Sequence, residues 1–279
     1  MGRIIKQTII IILTVLFTLL LPIISLAAES YLTAEYLIKN IPEPTFDSVG
    51  GEWTIVGLSE CSYPVPEGYF EKYYSNLAAV VKKEKGILSE DRYTEYSRVI
   101  IALSSIGKDA SNVAGYDLSK PLKDYKKVTE QGLNGAIYAL MALNSGRYTG
   151  PKNELKDFIL QKELPDGGWN FWGNGTADLD ITAMAVQALS AYRYDKKTKQ
   201  VIERALPLLK EKRYESCETV SQVILALSSL GIKPDESYRK QLLKFCCRDG
   251  SFKHLLEDEG SNIMSTEQAL MALSVFERD

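Results

Sequence analysis

Histidine occurs once in the 279-residue chain, at His254, and cysteine only four times, at Cys61, Cys217, Cys246 and Cys247. No CxxC pair is present. A zinc site of ordinary Cys/His spacing is therefore excluded, and no metal or cofactor is expected. His254 stands in the charged connection DGSFKHLLEDEG and reads as a surface residue. One-signed charge is also scarce: 33 Lys+Arg against 36 Asp+Glu give a formal net charge of −3. The lysines at 82–85 and 196–199 are interrupted and read as solvated helix faces. Without a basic stripe, neither nucleic acid nor anionic lipid is indicated as a partner. No hairpin dipeptide stands between alternating runs, so β-structure is not expected.

Long apolar runs are absent too, except at the start. Arg3 and Lys6 precede an uncharged stretch from Thr8 to Ala28, which ends in the small residues SLAA at 25–28. That is the pattern of a secretory signal over residues 1–27. Pro22 and the small residues favour cleavage after Ala27, giving a secreted or extracytoplasmic domain of residues 28–279. The alternative is a membrane anchor if Ile9–Ala27 is retained. Export permits disulfides, and four cysteines allow three connectivities. The adjacent Cys246 and Cys247 point to different helix faces, which favours one bridge to Cys217 over two bridges. Four free thiols are the other reading.

What is present is a repeat. A short Ala/Gly-Leu-Ser/Asn element recurs with its leucine at Leu58, Leu103, Leu143, Leu189, Leu227 and Leu273. The intervals of 38 to 46 residues are each long enough for a helix pair. The recurring segments, such as VSQVILALSSLG at 220–231, are apolar nearly all round and predict helices buried on every face. The segments between them are amphipathic. In KQVIERALPLLKEKR, Val201, Ile202, Ala205, Leu208 and Leu209 make one stripe with Lys, Glu and Arg opposite. Similar stripes are expected in YLTAEYLIKN (from 31), EGYFEKYYSNLAAVVKK (67), LSKPLKDYKKV (118), KNELKDFILQKEL (152) and ESYRKQLLKFCC (236). Six buried helices inside six amphipathic ones predict an all-α fold, a six-hairpin α/α toroid, with an open helical solenoid as the alternative. Neither terminal unit reads as a polar cap, which favours closure.

At PDGGWNFWG (165–173), DLDITAMAVQAL (178–189) and CCRDGSF (246–252) the chain resembles the prenyltransferase and squalene–hopene-cyclase-like α/α toroid superfamily. GKDASNVAGYDLSKPL (107–122) and EQGLNGAIYALMALNSG (130–146) make it similar to secreted bacterial members that share the toroid with the cobalamin carriers intrinsic factor and transcobalamin. The resemblance covers essentially all of residues 28–279. In the cyclases a Q-x-x-D-G-x-W turn recurs. Here Asp166, Gly167 and Trp169 match it, with Glu163 in the glutamine place, and Asp249, Gly250 and the aromatic Phe252 match it in part. The resemblance implies a structural role for all six matching residues, with the aromatic fixing the stacking of neighbouring units. Trp172 sits in the glycine-rich NFWGNG and reads either as facing a cavity or as covering a rim.

The cyclases open an inner helix with D-x-D-D-T-A, whose middle aspartate is the general acid. Asp180 falls on that position, but Ile181 replaces the following aspartate. From the residues themselves, Asp178 or Asp180 is a good helix N-cap, and an acid in the first turn suits the helix dipole. Thr94-Glu95, Glu130-Gln131, Glu218-Thr219 and Ser265-Thr266-Glu267 stand at comparable places, so a repeated capping device is expected. Other family chemistries lack their residues. Met264 stands where protein prenyltransferases would need a zinc-binding histidine, and no C-G-E-Q thioester motif is present.

Inner-helix N-termini that all open at one end would rim a common mouth. In the cobalamin carriers the resembling domain turns this mouth to the ligand, beside a second β-rich domain, so the resemblance implies a binding mouth and not a complete cobalamin site. The expected function is non-catalytic ligand binding there. The expected lining is Gln131, Asn134, Trp172, Asp178, Asp180, Thr182, Glu218, Thr266 and Glu267. The ligand would be a small molecule, corrinoid-like or isoprenoid, or a cell-surface macromolecule. The alternatives are a cyclase-like or prenyl-transferring enzyme with Asp180 as acid, and a rigid surface interaction module without a small ligand.

Overall fold

The structure is a computed structural model, and it describes residues 29–146, 148–211 and 214–278. The expected signal segment, 1–27, lies outside the described residues. Among these the chain is all-helical, with no strand and only four isolated β-bridges. No described helix is long and apolar enough to cross a membrane.

Among the described residues twelve α-helices follow one another: α1 (29–40), α2 (Trp53–Glu60), α3 (Tyr69–Lys83), α4 (Tyr93–Ser105), α5 (Tyr125–Glu130), α6 (Gly132–Ser145), α7 (Lys152–Gln161), α8 (Leu179–Leu189), α9 (Lys196–Lys210), α10 (Cys217–Ser229), α11 (Glu236–Leu242) and α12 (Ile263–Ser274). The six repeated leucines lie on α2, α4, α6, α8, α10 and α12, and all six are buried. Their flanking alanines, such as Ala102, Ala142, Ala188 and Ala226, are buried too, so these helices approach closely from several sides. Each packs on the next in order, and α12 packs back on α2. That last contact needs Gly57: a Cβ there would meet the Leu270 side chain at 3.2 Å.

The amphipathic helices lie against this set. α7 packs on α6, α9 on α8, and α11 on α10. Along α9, Val201, Ile202, Ala205 and Leu209 are buried while Lys199, Glu203 and Arg204 are exposed. Leu208, expected in the same stripe, is half-buried. Two expected helices are shorter than their apolar pattern. LSKPLKDYKKV breaks into a 3₁₀ turn, Lys120–Lys123, and α5, because the Asp124 carboxylate caps α5 by accepting from the Lys127 N–H (3.2 Å). ESYRKQLLKFCC ends as α11 plus a 3₁₀ turn, because Cys246 turns extended and bridges to Phe252. All four cysteines are free thiols.

Candidate functional site

The approach to α8 is built by the glycine turn. The Gly167 N–H donates to the Leu164 carbonyl (2.9 Å), and the Gly168 carbonyl accepts from the Leu164 N–H (2.8 Å). Gly167 has φ +89, and a Cβ there would meet the Arg204 carbonyl oxygen at 2.9 Å, so only glycine fits. The Asp166 carboxylate accepts from the Ala177 N–H (2.8 Å), tying the turn to the chain entering α8. Trp169 is fully buried, and its indole N–H donates to the Ile159 carbonyl on α7 (2.8 Å). Its backbone is clamped by α8: its N–H donates to the Thr182 hydroxyl (2.9 Å), and its carbonyl accepts from the Asp178 N–H (2.8 Å). Glu163 forms a two-pronged ion pair with Arg204 of α9, 2.6 Å at each prong.

The same device returns before α12. Gly250 has φ +85, and Asp249 accepts from the Ser251 hydroxyl (2.6 Å). Phe252 is fully buried; its N–H donates to the Thr266 hydroxyl (2.9 Å), and its carbonyl accepts from the Asn262 N–H (2.7 Å). Thr182 and Thr266 are therefore buried clamps, and neither lines the cleft described below.

Capping is done by Asp178, Ser216 and Asn262, whose side chains accept from the third N–H of α8, α10 and α12 respectively. Asp180 and Glu218 stand two residues further on, inside the first turn, where a side chain no longer reaches those N–H groups. α4 and α6 have no side-chain cap; Gln131 instead accepts from the Thr94 N–H at the start of α4 (3.0 Å). The expected repeated acidic cap is thus corrected to three caps at α8, α10 and α12.

Between the starts of α8 and α10, under residues 254–255, lies a cleft of about 390 Å³. Asp178 and Asp180 line one side, Glu215, Ser216 and Thr219 another, with His254 and Leu255 above. Asp180 Oδ1 is buried with no hydrogen-bond donor. Burial raises the Asp180 carboxyl above the usual range; the Thr219 hydroxyl opposes this, and the negative Asp178 and Glu218 add to it. His254 is half-exposed rather than free: its Nδ1 lies 2.7 Å from Glu218 Oε2, and Glu218 Oε1 accepts from the Ser265 hydroxyl (2.6 Å). The Glu218 contact raises the His254 imidazole above its ordinary value.

The remaining expected residues are scattered. Trp172 is 79% exposed and stacks edge-on against Phe171, outside the cleft lining. Its loop is held by the Asn170 side chain, which accepts from the Trp172 and Gly173 N–H groups and donates to the Asn174 and Thr176 carbonyls. Gln131 and Asn134 lie half-buried at the start of α6, away from the cleft lining. Glu267 is fully buried against the chain entering α2. The structure therefore brings together Asp178, Asp180 and, through His254, Glu218. His254, Glu215 and Ser216 are cleft residues that sequence reasoning missed. The only signal for His254 was its place between the RDGSF turn and the last apolar helix.

A second cavity lies among the six apolar helices. It measures about 130 Å³ and takes side chains from each of them, including Trp53, Ile101, Tyr138, Met184, Leu225 and Met271. Gln187, Gln222 and Gln268 cross it as a hydrogen-bonded chain, with links of 2.7 and 2.6 Å. Among the described residues no group of three or more His, Cys, Asp or Glu is arranged to hold a metal ion. The chain matches no protein-family model and no curated protein.

Proposed function

We propose that this chain is an exported α/α toroid that binds a small polar ligand in the cleft between α8 and α10. The cyclic succession of helix contacts, with α12 on α2, supports the toroid. The observation that carries the binding reading is Asp180 Oδ1, a buried acceptor in a 390 Å³ cleft with no donor of its own. Small-molecule sites usually span roughly 300–1,000 Å³, and a buried acceptor left unsatisfied costs about 1–3 kcal/mol that a donating ligand would recover.

Charge narrows the ligand. Asp178, Asp180 and Glu215 face the cleft, and among the described residues its one basic group, His254, is already paired with Glu218. A diphosphate or other anion is repelled there, whereas a neutral polyol or an amine supplies the missing donor. The axial cavity is smaller than that ligand range and crossed by glutamines, which argues against a polyprenyl chain threading the centre. One observation favours an enzymatic second reading: Asp180 and His254 line the same cleft, so a proton donor and a carboxylate-held imidazole are neighbours.

The test is a thermal-shift panel of polyols, amines, corrinoids and polyprenyl diphosphates. Ligand at a hundred times its Kd adds about 2.7 kcal/mol, and a chain of this size shifts roughly 2–4 °C per kcal/mol. Binding of a polyol or amine, lost in Asp180→Ala, is the expected result. A response confined to polyprenyl diphosphates refutes the reading.

A further inference from the structure

The chain enters α2 through an irregular segment, Ser48–Glu52, in which Val49 is extended, Gly50 has φ 77 and Gly51 lies at φ −128, ψ −110. A side chain at Gly51 would clash with the Thr45 carbonyl. The Asp47 carboxylate caps the segment weakly, through the Val49 N–H (3.3 Å). What holds it across the fold is Glu267 of α12, whose Oε1 accepts from the Gly50 N–H (3.0 Å) and from the Thr54 hydroxyl. These bonds join the last repeated helix to the first.

Glu267 is fully buried, and its Oε2 has no hydrogen-bond donor. The groups facing it are the Thr54 hydroxyl and N–H, the Gly50 N–H, the Asp47 carboxylate and the Tyr69 phenol, whose own hydroxyl donates to the Ile41 carbonyl (2.7 Å). No Lys, Arg or His is among them. The neighbouring buried carboxylate, Glu52, differs in this: Arg98 Nε lies 3.4 Å from it, the Tyr73 hydroxyl donates to it, and Arg98 also pairs with Glu95. Arg98 is thus engaged with those two acids. An ionised Glu267 is a buried charge with hydrogen bonds on one oxygen and no counter-ion, a costly arrangement.

We propose that Glu267 is a proton-controlled latch on the seam between α12 and α2: protonated, it holds the Ser48–Glu52 segment closed; ionised, it releases that segment to local opening. Burial, as the largest influence, pushes the Glu267 carboxyl from 4.5 up to about 7, against the opposing Thr54 and Gly50 hydrogen bonds. The closed seam therefore keeps the proton that an opened, solvated Glu267 would lose near 4.5. Opening becomes tenfold easier for each pH unit between those values and levels off above about 7, a total of roughly three-hundredfold.

Native-state hydrogen exchange of the full chain tests this. Glu267→Gln, which cannot ionise, is the reference at each pH, so the intrinsic pH dependence of exchange cancels. The wild-type to variant exchange ratio of amides 50–56 should climb from pH 4.5 to 7 and then level, and these amides should open more readily than the buried amides 137–143 of α6, which marks the opening as local. A ratio flat with pH overturns the latch. The Glu267 carboxyl followed by carbon NMR in the unaltered chain decides independently of how the variant folds: titration near 7 supports the proposal, and titration near 4.5 overturns it.

Discussion

Replacing Thr182 by valine should reveal how the repeated units are locked together. The hydroxyl accepts from the Trp169 N–H at 2.9 Å and points back to the Trp169 carbonyl at 3.2 Å. Valine keeps the shape and removes both bonds. The carbonyl keeps its other donor, the Asp178 N–H, but the Trp169 N–H is left buried without an acceptor. A stranded buried donor costs about 1–3 kcal/mol, so we expect a loss of about 2 kcal/mol and a Tm lowered by roughly 4–8 °C. Thr266→Val strands the Phe252 N–H in the same way and should cost about as much. The two clamps share no hydrogen-bond partner, so the double variant should lose about the sum. Calorimetry or urea unfolding measures all three. A loss below about 0.5 kcal/mol in either single variant, in the range of ordinary surface changes, would refute the clamp.

Gly167→Ala should cost at least about 1–2 kcal/mol from the left-handed backbone alone, with the Arg204 carbonyl clash adding to it, read as a lowered urea midpoint. Global stability should fall as pH rises from about 4.5 to about 8, because burial, opposed by Arg98, pushes Glu52 up to about 8. The folded state then holds a proton that the unfolded chain releases near 4.5, so this stability is complete below that value and lost through the folded one. Chemical unfolding at pH 5 and pH 8 checks the sign, and Glu52→Gln should reduce the slope, leaving the part that Glu267 contributes. The His254 imidazole should titrate above its ordinary value of 6.5 and drop in Glu218→Gln, followed by the proton NMR of its ring.

The helical architecture was legible because it rests on a repeated local pattern. Each recurring leucine marks a helix that is apolar on most sides, and such a helix has no stable place except among others like it. Amphipathic helices were legible wherever the stripe was uninterrupted, as in α9. They were misread around Asp124 and Cys246, where a side-chain cap and a bridge to Phe252 end the helix before the stripe does. The site was less legible. Asp178 and Asp180 could be placed at a helix start from sequence, but not that Asp178 is taken up by the cap while a buried oxygen of Asp180 is left without a donor. Thr182, Thr266 and Glu267 stand near the starts of α8 and α12, yet the helical rotation turns all three inward to protein partners. His254 sits far along the chain from Asp180 and reaches the same cleft only through the turn after Phe252.

Binding in the α8–α10 cleft would leave its mark on the amides that surround it. The most direct measurement is backbone amide NMR of the full chain titrated with the polyol or amine that raises its melting temperature. Shift changes should concentrate at residues 177–181, 215–219 and 254–255 and be absent in Asp180→Ala. Changes centred instead on Trp53, Tyr138 and Met184 around the axial cavity would contradict it.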